Sequence, residues 1–99
     1  MLELTPEAMR AVPLFVVAQD AGAAAGLRIS FGPHSAADRT WDYSVVHGPV
    51  EGDVVIEDGG ARVFVDPDAA TQLEHALLDA HVDEQTLETR FVVRMRDGG

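Results

Sequence analysis

His75, Asp79 and His81 are the one local set of metal-ligand residue types in the chain. If this stretch is helical, His75 and Asp79 stand at i and i+4 on one face, with His81 just beyond. Zinc takes three or four ligands in a tetrahedral array, so such a site needs a further ligand from elsewhere. The plainer reading is a solvated helix face, because a chain with 17 Asp and Glu sets histidine beside acid by chance. His34 stands in a Gly32-Pro33-His34-Ser35 break, where it serves either as a ligand or as an exposed loop residue. Arg90, Arg94 and Arg96 fall on one side of an alternating segment and form the only basic stripe in the sequence. That stripe suits docking of an acidic partner or a neighbouring subunit. Pairing with nearby carboxylates, or charge protection of an edge strand, explains it equally simply.

Other chemistries lack their residues. With no cysteine, disulfides, thiol catalysis and thiolate metal sites are excluded within these 99 residues. Ser30, Ser35 and Ser44 have histidines near them in sequence, but no Gly-x-Ser-x-Gly elbow is present. Gly59-Gly60 leads from one expected strand into another, not into a phosphate-binding helix. The acidic stretches at Glu57-Asp58, Asp66-Pro67-Asp68 and 79–84 lack the spacing of a calcium loop. No enzyme is expected from these residues, and no cofactor.

Seventeen acidic residues against seven arginines give a formal charge of -10, and lysine is absent. Such a surface repels nucleic-acid backbones and anionic membranes. The longest apolar run, 11–18, is too short to span a bilayer and contains Pro13. Glu3 and Glu7 precede the first basic residue, unlike a signal peptide. The expectation is a soluble cytoplasmic protein of one domain, residues 1–99.

The elements that position these residues read as follows. A short extended segment at 2–4 precedes a helix capped by Thr5 with Pro6 in its first turn. Met9, Val12 and Val16 give it an apolar face, and Pro13 predicts a kink or early stop. Strands are expected at 27–31 and 41–46. Strands at 53–57 and 61–65 should be joined as a hairpin by Asp58-Gly59-Gly60. Asp66-Pro67 opens a second helix, with Ala70, Leu73, Leu77 and Ala80 along one face. A last strand covers 89–96. The order points to a mainly β, α+β domain rather than a βαβ array.

Several strings in this order resemble the HesB-like, or A-type iron–sulfur carrier, domain. They are Leu4-Thr5-Pro6-Glu7-Ala8, Gly26-Leu27-Arg28-Ile29, Pro49-Val50-Glu51-Gly52-Asp53, Gly60-Ala61-Arg62-Val63-Phe64-Val65-Asp66-Pro67 and Leu77-Leu78-Asp79. The resemblance implies a compact sandwich of mixed sheets with two outer helices. Cluster-carrying members have three cysteines, one in the loop after the strand that here ends at Phe31 and two in a Cys-x-Cys tail. Here that loop reads Gly32-Pro33-His34-Ser35-Ala36, and Arg96-Asp97-Gly98-Gly99 stands where the tail begins. Thiolates hold iron–sulfur clusters, with histidine the minority substitute. The expected function is therefore a non-catalytic HesB-like domain acting through protein contacts or self-association, linked to iron–sulfur assembly. The alternative is iron or cluster binding through His34, His75, His81 and carboxylates such as Asp79, across a dimer.

Overall fold

The computed structural model describes residues 2–31, 41–86 and 88–95. His34 and Arg96 lie outside the described residues. The chain runs β1 (Glu3–Leu4), α1 (Pro6–Ala18), β2 (Gly26–Phe31), β3 (Trp41–Val46), β4 (Val54–Asp58) and β5 (Ala61–Val65). It continues with α2 (Pro67–Gln72), β6 (Ala76–Val82) and β7 (Thr89–Met95). Two mixed sheets result, ordered β3-β2-β5-β4 and β1-β6-β7. β2 runs parallel to β5 and β1 parallel to β6, while the other neighbours are antiparallel. This is the mainly β fold of mixed sheets and two helices that the sequence implied.

Alternation along each strand places the core. Leu27, Ile29, Val63 and Val65 of one sheet and Leu78, Ala80 and Phe91 of the other are buried in one cluster. α1 adds Ala8, Ala11 and Val12 and leaves Leu14 and Val17 on its outer side. Fully burying a side chain of this size stabilises by roughly 1.5–3 kcal/mol. Phe91 ties three elements together: Phe15 of α1 meets its ring edge-on at 5.2 Å, and Tyr43 of β3 lies 5.9 Å away. Edge-on aromatic pairs add to burial alone.

Two expectations about the helices need correction. α1 does not stop at Pro13; it continues to Ala18. Proline removes one backbone bond to Met9, but Val12 before it and Phe15 and Val16 after it are held against the core. The second helix ends at Gln72, and Leu77 and Ala80 belong to strand β6. Adjacent Leu77 and Leu78 satisfy either period. Position decides, because β6 is the central strand of its sheet and pairs on both edges. As a strand it buries Ala76, Leu78 and Ala80 at alternate positions.

The hairpin turn forms as expected. Asp58 pairs with Ala61, and Gly59 and Gly60 both take positive φ, 57° and 87°. That is the backbone a two-residue turn matching strand twist requires.

β3 and β4 lie on opposite edges of their sheet, so the connection 47–53 must cross roughly 14 Å. It crosses the face opposite the main core. Arg28 and Phe64 are register partners that point to that face, and Asp53 of the connection meets Arg28 there. Phe64 is only 1% exposed yet stands apart from the central cluster. Its ring lies over Gly26, where an added Cβ would come within 2.8 Å of both the ring and the Arg62 carbonyl. Gly26→Ala should therefore destabilise the domain by about 1–3 kcal/mol through overpacking. A lower urea midpoint at unchanged slope is the expected result.

Candidate functional site

Two polar clusters organise the molecule. The first is built on the outward face of the β1-β6-β7 sheet. Backbone pairing of β1 with β6 extends to Thr5, whose N–H donates to the Leu78 carbonyl at 2.9 Å. This brings Thr5 beside Asp79. The Thr5 hydroxyl donates to Asp79 Oδ1 at 2.7 Å and accepts from the Ala8 N–H at 3.2 Å, where it caps α1. Asp79 Oδ1 also accepts from the Ala80 N–H at 2.9 Å. Asp79 Oδ2 meets Arg94 Nη2 at 3.3 Å, and His81 Nε2 lies 3.9 Å away. Asp79 is buried, 9% exposed as a whole residue. The Thr5 hydroxyl holds its carboxyl below the ordinary range against the opposing cost of burial, with the Ala80 N–H, Arg94 and His81 adding to the effect.

Asp79 and His81 therefore share a strand face, not a helix face. His75 sits exposed in the turn between α2 and β6, away from the i, i+4 arrangement expected. Among the described residues no three His, Asp or Glu side chains converge to hold a metal ion. The carboxylate of Asp79 already accepts from a hydroxyl and an amide and is ion-paired with a guanidinium. A metal there would have to displace them. Arg90 and Arg94 stand on the same outward face, opposite His81 and Leu77 in register. Arg94 is paired with Asp79, which is the plainer of the two readings for that residue.

The second cluster was not legible as a site. Arg28 donates from Nε and Nη2 to Asp53 Oδ2 and Oδ1, both at 3.0 Å, and from Nη2 to Asp66 Oδ2 at 3.3 Å. The Asp53 side chain is fully buried, and its Oδ2 also accepts from the Val50 N–H. Asp66 Oδ1 accepts from the Asp68 and Ala69 N–H groups and so caps α2. Arg28 holds the Asp53 carboxyl below its usual range, and Asp53 in turn raises Arg28. The trio clamps the crossing connection and the start of α2 to β2. One signal could have found it: an arginine within an otherwise apolar strand of an acidic chain must meet carboxylates.

Elsewhere, Asp83 accepts from the Gln85 and Thr86 N–H groups in the β6–β7 turn, which lowers its carboxyl. Burial raises the Tyr43 hydroxyl, partly offset by a hydrogen bond with the Val93 backbone. Tyr43 thus spans from one sheet to the open edge of the other. No helix among the described residues is long and apolar enough to cross a membrane.

No family model and no curated protein matches this chain. Solved structures do. The crystal structure of Escherichia coli SufA, involved in biosynthesis of iron–sulfur clusters, superposes with a TM-score of 0.69 at 22% identity. The match covers 95% of this chain and 84% of SufA. The crystal structure of IscA with its [2Fe-2S] cluster gives 0.61 at 20% identity, over 96% of this chain and 85% of IscA. A protein from Aquifex aeolicus, solved by NMR, gives 0.67 at 26% identity, over 96% and 91%. The chain has the fold of SufA and IscA. Its 99 residues contain no cysteine, so the fold is present without a thiolate to hold a cluster.

Asp79 supplies a test of the first cluster. Its carboxyl is more acidic in the folded chain than in the unfolded one, as is that of Asp53. The stability they contribute is complete above the unfolded value of about 4 and is lost as pH falls through the lower folded values. Asp79→Asn should cost about 1–3 kcal/mol at pH 7, by weakening acceptance from Thr5 and Ala80 and removing the ion pair with Arg94. In urea titrations its deficit should shrink as pH is lowered from 5 toward 2, while the parent protein loses stability over that range.

Proposed function

We propose that this domain works by contact with another protein, catalyses no reaction itself, and carries no thiolate-held cluster. The observation that carries this reading is the pairing of a SufA- and IscA-like fold with a chain that has no cysteine. Clusters are held by thiolates, with histidine a partial substitute. Asp79, Asp53 and Asp66 are engaged in internal hydrogen bonds. Their work is structural. The process in which such a contact would operate is iron–sulfur cluster assembly, because that is where SufA acts. Fold likeness alone supports that part of the reading.

The test is anaerobic purification, addition of ferrous iron and sulfide, and measurement of bound metal with the visible spectrum. The expected result is a colourless protein with no stoichiometric iron. A cluster spectrum with stoichiometric iron would overturn the reading. It would point to His34, His75 and His81 with carboxylates as ligands across two copies, and His34→Ala would then be expected to lose the iron.

A further inference from the structure

Among the described residues, Arg10, Arg28, Arg62 and Arg94 each pair with a carboxylate. Arg90 pairs with none, on a chain of net charge -10. It stands exposed on the outward face of the β1-β6-β7 sheet. Along β7 that face shows Arg90, Val92 and Arg94 in a row. Along β6 it shows His81, Asp79 and Leu77 opposite them. Val92 and Leu77 are half-buried apolar residues between the charges. The Arg94 side chain is 58% exposed, so its pairing with Asp79 leaves guanidinium N–H groups facing solvent. Both helices among the described residues pack elsewhere, α1 against the inner side of this sheet and α2 against β2. On the other sheet the crossing connection is held over Arg28 through Asp53; among the described residues no connection crosses this one. Glu3 on β1 bounds the patch on one side, and Glu88 and Asp83 in the β6–β7 turn bound its end.

We propose that this face docks an extended acidic segment of a partner protein, with Arg90 and Arg94 each taking a carboxylate and an apolar residue between them seated on Val92 and Leu77. The inference deepens the reading above and rests on it. Charge complementarity supports the occupant. Arg90 and Arg94 are four residues apart on one strand face, about 13 Å, which is the spacing of i and i+4 in an extended peptide. At physiological salt the screening length is about 8 Å, so the remote acidic residues of this chain oppose the encounter little; Asp79, Glu3, Glu88 and Asp83 lie at the patch and oppose it, so the segment must place its carboxylates directly on the two exposed guanidiniums. A second copy of the chain is the other candidate occupant, but it brings a net -10 of its own.

The probe is a blocked five-residue peptide with glutamate at each end, leucine in the middle and serines between. It is titrated into isotopically labelled, metal-free protein while backbone amide shifts are followed. Shifts should concentrate on β6 and β7, and the peptide with glutamines replacing both glutamates should bind roughly fivefold to tenfold more weakly. Arg90→Glu should weaken the acidic peptide by about tenfold or more without loss of folding, since Arg90 has no partner within the described structure. Arg10→Ala, on α1, should leave binding unchanged. Shifts elsewhere, or equal binding of the two peptides, would overturn the proposal. Concentration-dependent broadening of β6 and β7 without peptide, abolished by Arg90→Glu, would also overturn it by making a second copy the occupant. Because the titration uses metal-free protein, its failure reports on this face alone, while a cluster spectrum after reconstitution reports on the reading beneath it.

Discussion

The Thr5 hydroxyl meets two demands with one atom. It accepts from the Ala8 N–H and so starts α1, and it donates to Asp79 at the centre of the three-stranded sheet. A helix start leaves N–H groups that need an acceptor, and a buried carboxylate needs donors. Thr5 answers both because β1 pairs in parallel with β6 and delivers it there. α1, which packs across the inner sides of both sheets, takes its position from that junction. Its apolar stripe then supplies the burial that carries it through Pro13.

The two sheets treat their outward faces differently, and chain connection is the cause. Linking β3 to β4 across β2 and β5 forces the 47–53 segment over one sheet, and Arg28 anchors it there through Asp53. On the same face Phe64 is buried, its ring against Gly26. β6 and β7 are sequential and antiparallel, so a short turn suffices and nothing needs to cross them. On their outward face Arg90, Arg94 and His81 stay exposed while Asp79 is buried among its partners. One topology therefore clamps a connection across one sheet and, among the described residues, carries none across the other.

A fold is a scaffold, and the chemistry lies in the residues mounted on it. IscA carries a [2Fe-2S] cluster on this fold. The present chain keeps the fold at about one-fifth identity and has no thiol. The forces that maintain the architecture are burial of alternating apolar residues and the two carboxylate clusters, neither of which depends on a metal. Folding here therefore proceeds from these forces without any thiolate in the chain.

Short-range chemistry was legible in the sequence. Thr5-Pro6 and Asp66-Pro67 mark helix starts because a capping oxygen followed by proline suits the free N–H groups of a first turn. Asp58-Gly59-Gly60 marks the hairpin because glycine accepts positive φ. The missing cysteines excluded thiolate chemistry within the chain outright. Tertiary structure decided the rest. Whether 76–82 forms a helix or a strand is undetermined by residues that fit both periods, and pairing with β1 and β7 settles it. That choice moved Asp79 and His81 onto one strand face and separated them from His75. Asp79 met Thr5 across 74 positions of sequence, and Arg28 met Asp53 and Asp66 across 25 and 38. Sequence sets which side chains carry charge. Only the folded chain sets which charges meet, because desolvation makes a buried charge depend on partners brought from far along the chain.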